Sequence, residues 1–253
     1  MVVFRKKLRR AQVLTFLAAQ PPCLVAMEAC ASAHYWAREI SKLGHEVRLI
    51  PPAYVRPFVK RQKNDAADAE AICEAAQRPT MRFVAVKSEE KQASAVIFRT
   101  RDLLVGQRTQ IINAIRGHLA EYGLIAPQGP SHVDLLIAHI ENLDSGIPVA
   151  ARSCLDRLVQ MLHALHEEIT ALDAEIAARA KRDGAAKRLM TVPGIGPVIA
   201  TALEALAPPP EMFKSGRDFA AWIGLTPLQK STGGKQRMGR TSRMGERTLR
   251  RLL

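Results

Sequence analysis

Leu155, Leu158, Leu162, Leu165, Ile169, Leu172 and Ile176 recur by alternating steps of three and four residues. Only an α-helix lines up side chains spaced in that way, so residues 155–176 are predicted to be helical and to carry a continuous apolar seam that something must cover. Two coverings satisfy the pattern. One is another helix of the same chain, giving a hairpin; the other is a second copy, giving a dimerising coiled coil. A second helical pattern runs over 88–122, where Ile97, Leu104 and Ile111 fall seven apart, Ile115 and Leu119 continue the line, and Gly123 ends it. A connection rich in Pro and Gly, 126–130, separates the two.

The first 85 residues are organised differently. Residues 2–8 read as a strand, 9–19 as a helix, 23–27 as a buried strand, 32–43 as a helix stopped by Gly44, and 46–50 as another strand. A short helix follows Pro51 and Pro52, and a stronger one covers 65–77 ahead of Pro79. This alternation predicts an α/β domain over 1–85, followed by long helices over 86–184 and a basic, mainly helical domain over 185–253.

Composition sets the range of partners. Lys and Arg number 37 against 24 Asp and Glu, a formal charge of +13, and 47% of residues are hydrophobic. The chain can bury a core, and its charge favours a polyanion such as nucleic acid. The N-terminal basic residues and the apolar stretch after them imitate a secretion signal, but Gln12 and Thr15 interrupt it. No run of residues is long enough to span a membrane. Cys23, Cys30, Cys73 and Cys154 lack zinc-site spacing and read as reduced core thiols of a cytoplasmic protein.

Three acids stand out. Glu28 closes the apolar run 23–27, and the carboxyl end of a buried strand is where ligands bind in open α/β sheets. Asp65 and Asp68, three apart at the start of a helix, project from one face. Hard carboxylate oxygens of this kind suit Mg2+ or Mn2+, with water and phosphate oxygens completing the shell. The competing reading is that Asp65 caps its helix and that both acids answer the helix dipole. Two further segments suit phosphates. Gly194 and Gly196 form a turn of helix-hairpin-helix type ahead of a helix. The tail holds Lys230, Lys235, Arg237, Arg240, Arg243, Arg247, Arg250 and Arg251 against the single acid Glu246, which suits contacts with a nucleic-acid backbone.

Taken in order, Met27-Glu28-Ala29-Cys30, His34-Tyr35-Trp36, Gly44-His45-Glu46-Val47, the stretch from Lys63 to Ala71 with Asp65 and Asp68, Val192-Pro193-Gly194-Ile195-Gly196-Pro197, Gly224-Leu225-Thr226-Pro227, Ser231-Thr232-Gly233-Gly234-Lys235 and the closing Leu249-Arg250-Arg251-Leu252-Leu253 resemble the insertion-sequence one-ten transposase family, in particular its eleven-eleven subgroup. The resemblance implies a ribonuclease H-like first domain of RuvC type, with an Asp-Glu-Asp-Asp metal site in which Glu28, Asp65 and Asp68 match the second, third and fourth acids. It implies a serine nucleophile that links covalently to DNA, matched to Ser231, with Thr232 the candidate if the register shifts by one. It also implies DNA partners at the element ends and target, a guide RNA, action as a dimer or tetramer, and a nucleoid-associated location.

One departure is expected to matter. The family's first acid lies on an initial strand resembling Gly-Ile-Asp-Val-Ser, and nothing similar precedes Val2; relatives also continue past Leu253. A copy truncated at both ends, lacking its first strand and poorly active, is the expectation. Two other functions compete with the transposase: a metal nuclease of the junction-resolving kind, in which the acids do all the chemistry, and a non-catalytic DNA-binding remnant. Elsewhere, His163 and His166 are expected at exposed helix positions, and Tyr35, Trp36 and Trp222 in packing roles.

Overall fold

The computed structural model describes residues 5–60 and 64–253. They form two compact units, Met1–Glu90 and Lys91–Leu253.

In the first unit, α1 (Val13–Ala18) leads to β1 (Leu24–Glu28), α2 (Ala33–Lys42), β2 (Glu46–Ile50), the single-turn α3 (Pro52–Val55) and α4 (Asp65–Ala76). Strands β1 and β2 pair in parallel, with Leu24 beside Glu46 and Glu28 beside Ile50, and α2 is the crossover. Leu49 also bridges Val84. One face of the strand pair packs with Ala33 and Ala37 of α2. The other, through Ile50, packs with Val55, Ala71, Ala75 and Ala76. The alternation read from 23–50 is thus realised. The strand expected over 2–8 is not found in its described part: Arg5 to Leu8 has no regular structure, because consecutive charged side chains offer no apolar face to bury. Positions 2–4 lie outside the described residues.

His45 explains one of the quoted motifs. It is 5% exposed; its Nε2 lies 3.0 Å from the Leu17 carbonyl and must carry the proton, so Nδ1 accepts from the Cys23 backbone N–H at 3.2 Å. The ring joins the end of α1 to the start of β1. His45→Ala removes both links and leaves buried polar groups unpaired, a loss expected at about 1–3 kcal/mol by urea denaturation.

The second unit is built on two 32-residue helices, α5 (Glu89–Ala120) and α7 (Val149–Ala180), each about 48 Å long at 1.5 Å per residue. Glu89 and Glu90 belong to the first unit's bounds; the remainder of α5 lies in the second. Between them lies α6 (Val133–Glu141), an element absent from the reading of the sequence. Its C-terminal carbonyls, at Ile140 and Asn142, accept from the Arg152 guanidinium. Then come α8 (Gly184–Leu189), α9 (Pro197–Leu206), α10 (Gly216–Ile223), β3 (Pro227–Gln229), β4 (Met238–Thr241) and α11 (Arg247–Leu252).

The seam is covered from within the chain. Leu155, Leu162, Ile169 and Ile176 are buried. The early turns of α7 cluster with Ile111, Ile112, Ile115 and Leu119 from the end of α5, whereas Ile176 clusters with Ala95 and Phe98 from its start. The helices therefore run antiparallel, and a bidentate pair, Arg101 Nε to Asp173 Oδ1 at 2.5 Å and Nη2 to Oδ2 at 3.2 Å, joins them. Of the two coverings open to the sequence, the hairpin is the one observed. The same cluster takes in Ala202, Ala205 and Leu206 of α9 and Leu249 of α11, so the C-terminal elements share the core of the long helices.

The smaller expectations fare differently. His163 and His166 are exposed as expected, and Trp222 packs among Phe213 and Phe219. Trp36 is half-buried beneath the Arg10 guanidinium, and Tyr35, 43% exposed, packs edge-on against Trp36 with ring centroids 5.4 Å apart. The four cysteines are free but exposed, not core thiols: Cys73 and Cys154 fall on outward helix positions, and Cys23 and Cys30 flank β1. Among the described residues, no helix is long and apolar enough to cross a membrane.

Candidate functional site

Glu28 ends β1 and is half-buried. Asp65 and Asp68 occupy the first turn of α4, the helix that packs against β1. The capping role belongs to neither: Asn64 caps α4, its side-chain oxygen accepting from the Ala67 N–H at 2.8 Å. Among the described residues, no hydrogen bond or ion pair occupies the side chain of either aspartate. Glu70, one turn further, is instead engaged by Lys60 at 2.6 Å, and that hydrogen bond, then the ammonium charge, hold its exposed carboxyl below the usual range.

Among the described residues, no three His, Cys, Asp or Glu side chains form a group that could hold a metal ion, so Glu28, Asp65 and Asp68 are not gathered into one. The donor chemistry nevertheless suits Mg2+, which keeps several waters and is held in many phosphate-handling sites by one or two carboxylates plus substrate oxygens.

Ser231 lies in a structure that was not foreseen. The C-terminal region, expected to be mainly helical, contains an antiparallel pair, β3 with β4. Within it Thr232 bridges Lys235, Gly233 and Gly234 have φ of 55° and 76°, and the Lys235 N–H donates to the Thr232 carbonyl at 3.0 Å. Positive φ at both central residues is the signature of a type I′ hairpin turn, which residues with a Cβ adopt only under strain. The dipeptide Gly-Gly between two short runs was the signal available in the sequence.

Ser231, next to this turn, is exposed. Its Oγ accepts from the Arg237 backbone N–H at 3.2 Å. An N–H directed at a hydroxyl oxygen favours charge on that oxygen and leaves the hydroxyl proton free to depart. Thr232 is exposed as well. In the same stretch of chain Lys230, Lys235, Arg237, Arg240, Arg243 and Arg247 are exposed. The last two basic residues of the tail are committed to the fold: Arg250 is half-buried and bonds backbone carbonyls, and Arg251 pairs with Asp102 at 3.6 Å. No sequence signal separates these two from their neighbours.

Gly194, with φ of 87°, makes the turn between α8 and α9, and Gly196 is the N-cap of α9 with Pro197 in its first turn. The turn is solvent-facing at Val192, Pro193 and Gly194.

Two family models match. One, described as a transposase and named for the DEDD domain of IS110, covers residues 5–124. The other, described as the transposase IS116/IS110/IS902 family, covers 186–253. A probable family 20 transposase of Pseudomonas aeruginosa is 49% identical over 254 residues, covering 100% of this chain and 75% of that protein. The chain belongs to the IS116/IS110/IS902 transposase family. This is a family of enzymes that cut and join DNA. A putative transposase of Sinorhizobium fredii, y4pF/y4sB, is 45% identical and covers 99% of this chain, which spans 65% of it. The transposase for insertion sequence element IS1111A of Coxiella burnetii is 35% identical, and the chain spans 70% of its length. The DEDD match falls on the part of this family member that holds Glu28, Asp65 and Asp68, and the second match on the part that holds Ser231. A DEDD domain is in general a user of divalent metal ions and of ribonuclease H-like fold.

Proposed function

We propose that this chain cuts and rejoins DNA at the ends of an insertion element, with Ser231 as the nucleophile and Glu28, Asp65 and Asp68 as the ligands of Mg2+ or Mn2+. The observation that carries this reading is the setting of Ser231: an exposed hydroxyl, oriented by the Arg237 N–H, among the side chains of Lys230, Lys235, Arg237 and Arg240, all exposed. Such a loop attracts a phosphodiester and offsets the charge that gathers on it during attack. In the step itself the Oγ–P bond forms as the bond from phosphorus to the leaving sugar oxygen breaks. The serine proton passes to a base and the departing oxygen takes up a proton. When bound, the divalent ion supplies Lewis acidity to phosphate oxygens. Lys230, Lys235, Arg237, Arg240, Arg243 and Arg247 hold the DNA backbone, and the turn at Gly194 and Gly196 offers a further phosphate contact. Guidance by an RNA of the element and action as a dimer or tetramer complete the proposal, on the strength of the resemblance.

The test is to trap the covalent intermediate. A labelled duplex of the element's own end, incubated with the chain and Mg2+, is expected to give an SDS-stable adduct whose proteolytic fragment carries a nucleotide on Ser231 by mass spectrometry. Cleavage without an adduct would instead make the chain a carboxylate nuclease. Duplex binding with neither adduct nor cleavage would make it a DNA-binding remnant.

A further inference from the structure

The strands of the Ser231 hairpin have little to rest on. Every residue of β3 is exposed, and of β4 only Gly239 is partly covered. An isolated two-stranded hairpin is marginally stable in water, so the direction in which Ser231 points depends on how the base of the hairpin is held.

That base is crowded and cross-linked. The Ser242 N–H donates to the Thr226 carbonyl at 2.9 Å, and the Arg243 N–H to the Gly224 carbonyl at 3.0 Å. The two legs then cross at glycines: a Cβ on Gly245 would lie 1.9 Å from the Trp222 carbonyl oxygen, and one on Gly224 would lie 2.7 Å from the Gly245 nitrogen. At this crossing Arg250 Nη1 donates to the Ile223 carbonyl at 2.9 Å and to the Gly245 carbonyl at 3.3 Å. Ile223, the last residue of α10, opens the leg entering the hairpin and Gly245 lies on the leg leaving it, so one nitrogen holds both. Its helix, α11, is itself anchored. Thr248 Oγ1 donates to Asp102 Oδ2 of α5 at 2.9 Å, Arg251 pairs with the other oxygen of Asp102, and Leu249 is fully buried.

We propose that Arg250 is a positioning residue: through the paired carbonyls of Ile223 and Gly245 it clamps the hairpin's base to α11, which Thr248 and Arg251 tie to Asp102 of α5, so that the Ser231 hydroxyl is presented in a fixed orientation. The proposal rests on the reading of Ser231 as nucleophile. It removes Arg250 from the set of residues that hold phosphate. A guanidinium suits the task because its charge survives partial burial and its planar N–H groups bond two carbonyls without reorganising.

The test uses the full chain with Arg250→Met and with Arg250→Lys, which keeps the charge and a donor. Hydrogen exchange read by mass spectrometry is expected to rise about tenfold in Arg250→Met at the Lys230, Ser242 and Arg243 amides, whose bonds close the hairpin, and to stay unchanged along α5 and α7. Arg250→Lys is expected to fall between wild type and Arg250→Met. Cleavage of the element-end duplex at saturating DNA is expected to slow about tenfold in Arg250→Met, with its Kd within about threefold of wild type. The opposite pattern, in which hairpin exchange is unchanged, the Kd weakens and the salt slope drops by about one, would make Arg250 a phosphate contact and overturn the proposal. Faster exchange with an unchanged cleavage rate overturns it too. If Ser231→Ala stays active, the nucleophile reading fails on its own, and the exchange data still decide whether the clamp exists.

Discussion

Ser231→Ala is expected to lower Mg2+-dependent cleavage and rejoining of an element-end duplex by about 10³-fold or more, because without the hydroxyl oxygen no covalent bond to phosphorus can form. The substitution removes no charge, so duplex affinity should stay within about twofold at a given salt concentration. It removes one exposed hydrogen bond, from the Arg237 N–H, so stability should fall by no more than about 1 kcal/mol. A lost rate with affinity and melting temperature both retained is therefore the expected result, measured by a gel assay of cleavage, fluorescence anisotropy and calorimetry. Thr232→Ala is the control. Loss of activity in that variant, with Ser231→Ala still active, would move the nucleophile one position along.

Gly245→Ala is expected to have the largest effect on the fold. A Cβ there would sit 1.9 Å from the Trp222 oxygen and 2.3 Å from the Ile223 carbonyl carbon. Both are backbone atoms, and they cannot swing aside as the end of a side chain would. Relief requires the two legs of the hairpin to separate, which breaks the Arg250 bonds and lifts Trp222 and Leu249 from the core they share. A cost of about 3 kcal/mol or more follows, lowering the melting temperature by roughly 6–12 °C for a unit of this size. Gly234→Ala separates crowding from backbone conformation. Its Cβ meets nothing within 4 Å, but φ is 76°, so only the left-handed penalty of about 1–2 kcal/mol applies. Equal losses in the two variants would show that the close crossing is unimportant.

Much of the secondary structure could be read directly from the residues. The parallel strands around Val25 and Val47, the helix opening at Asp65 and the two long helices all appear where periodicity and stop signals put them. The reason is local: the spacing of apolar residues and a glycine after a helix act within a few residues of chain. Short elements fared worse. Helix α6 lies in a stretch to which no element is assigned from the sequence, and most of the β3–β4 hairpin in one read as a basic, glycine-threaded tail of a mainly helical domain. Elements so brief offer few repeats to count, and the Gly-Gly turn was masked by the basic residues around it. The four cysteines read as core thiols from their spacing alone, whereas helix faces put Cys73 and Cys154 outside and Cys23 and Cys30 lie exposed on either side of β1.

The candidate site divides in the same way. Glu28, the Asp65 and Asp68 pair and Ser231 are recognisable by type, spacing and motif. Asn64 takes the cap and spares the aspartates because the Ala67 N–H lies within reach of its side-chain oxygen, and Arg250 turns inward while Arg240 and Arg243 face solvent because the Ile223 and Gly245 carbonyls lie beside it. Likewise, the heptad of α7 establishes from the sequence alone that a helix exists and that one of its faces must be covered. Whether α5 or a second copy covers it is decided only by the tertiary structure, because an apolar stripe specifies that it must leave water and not the partner with which it does so.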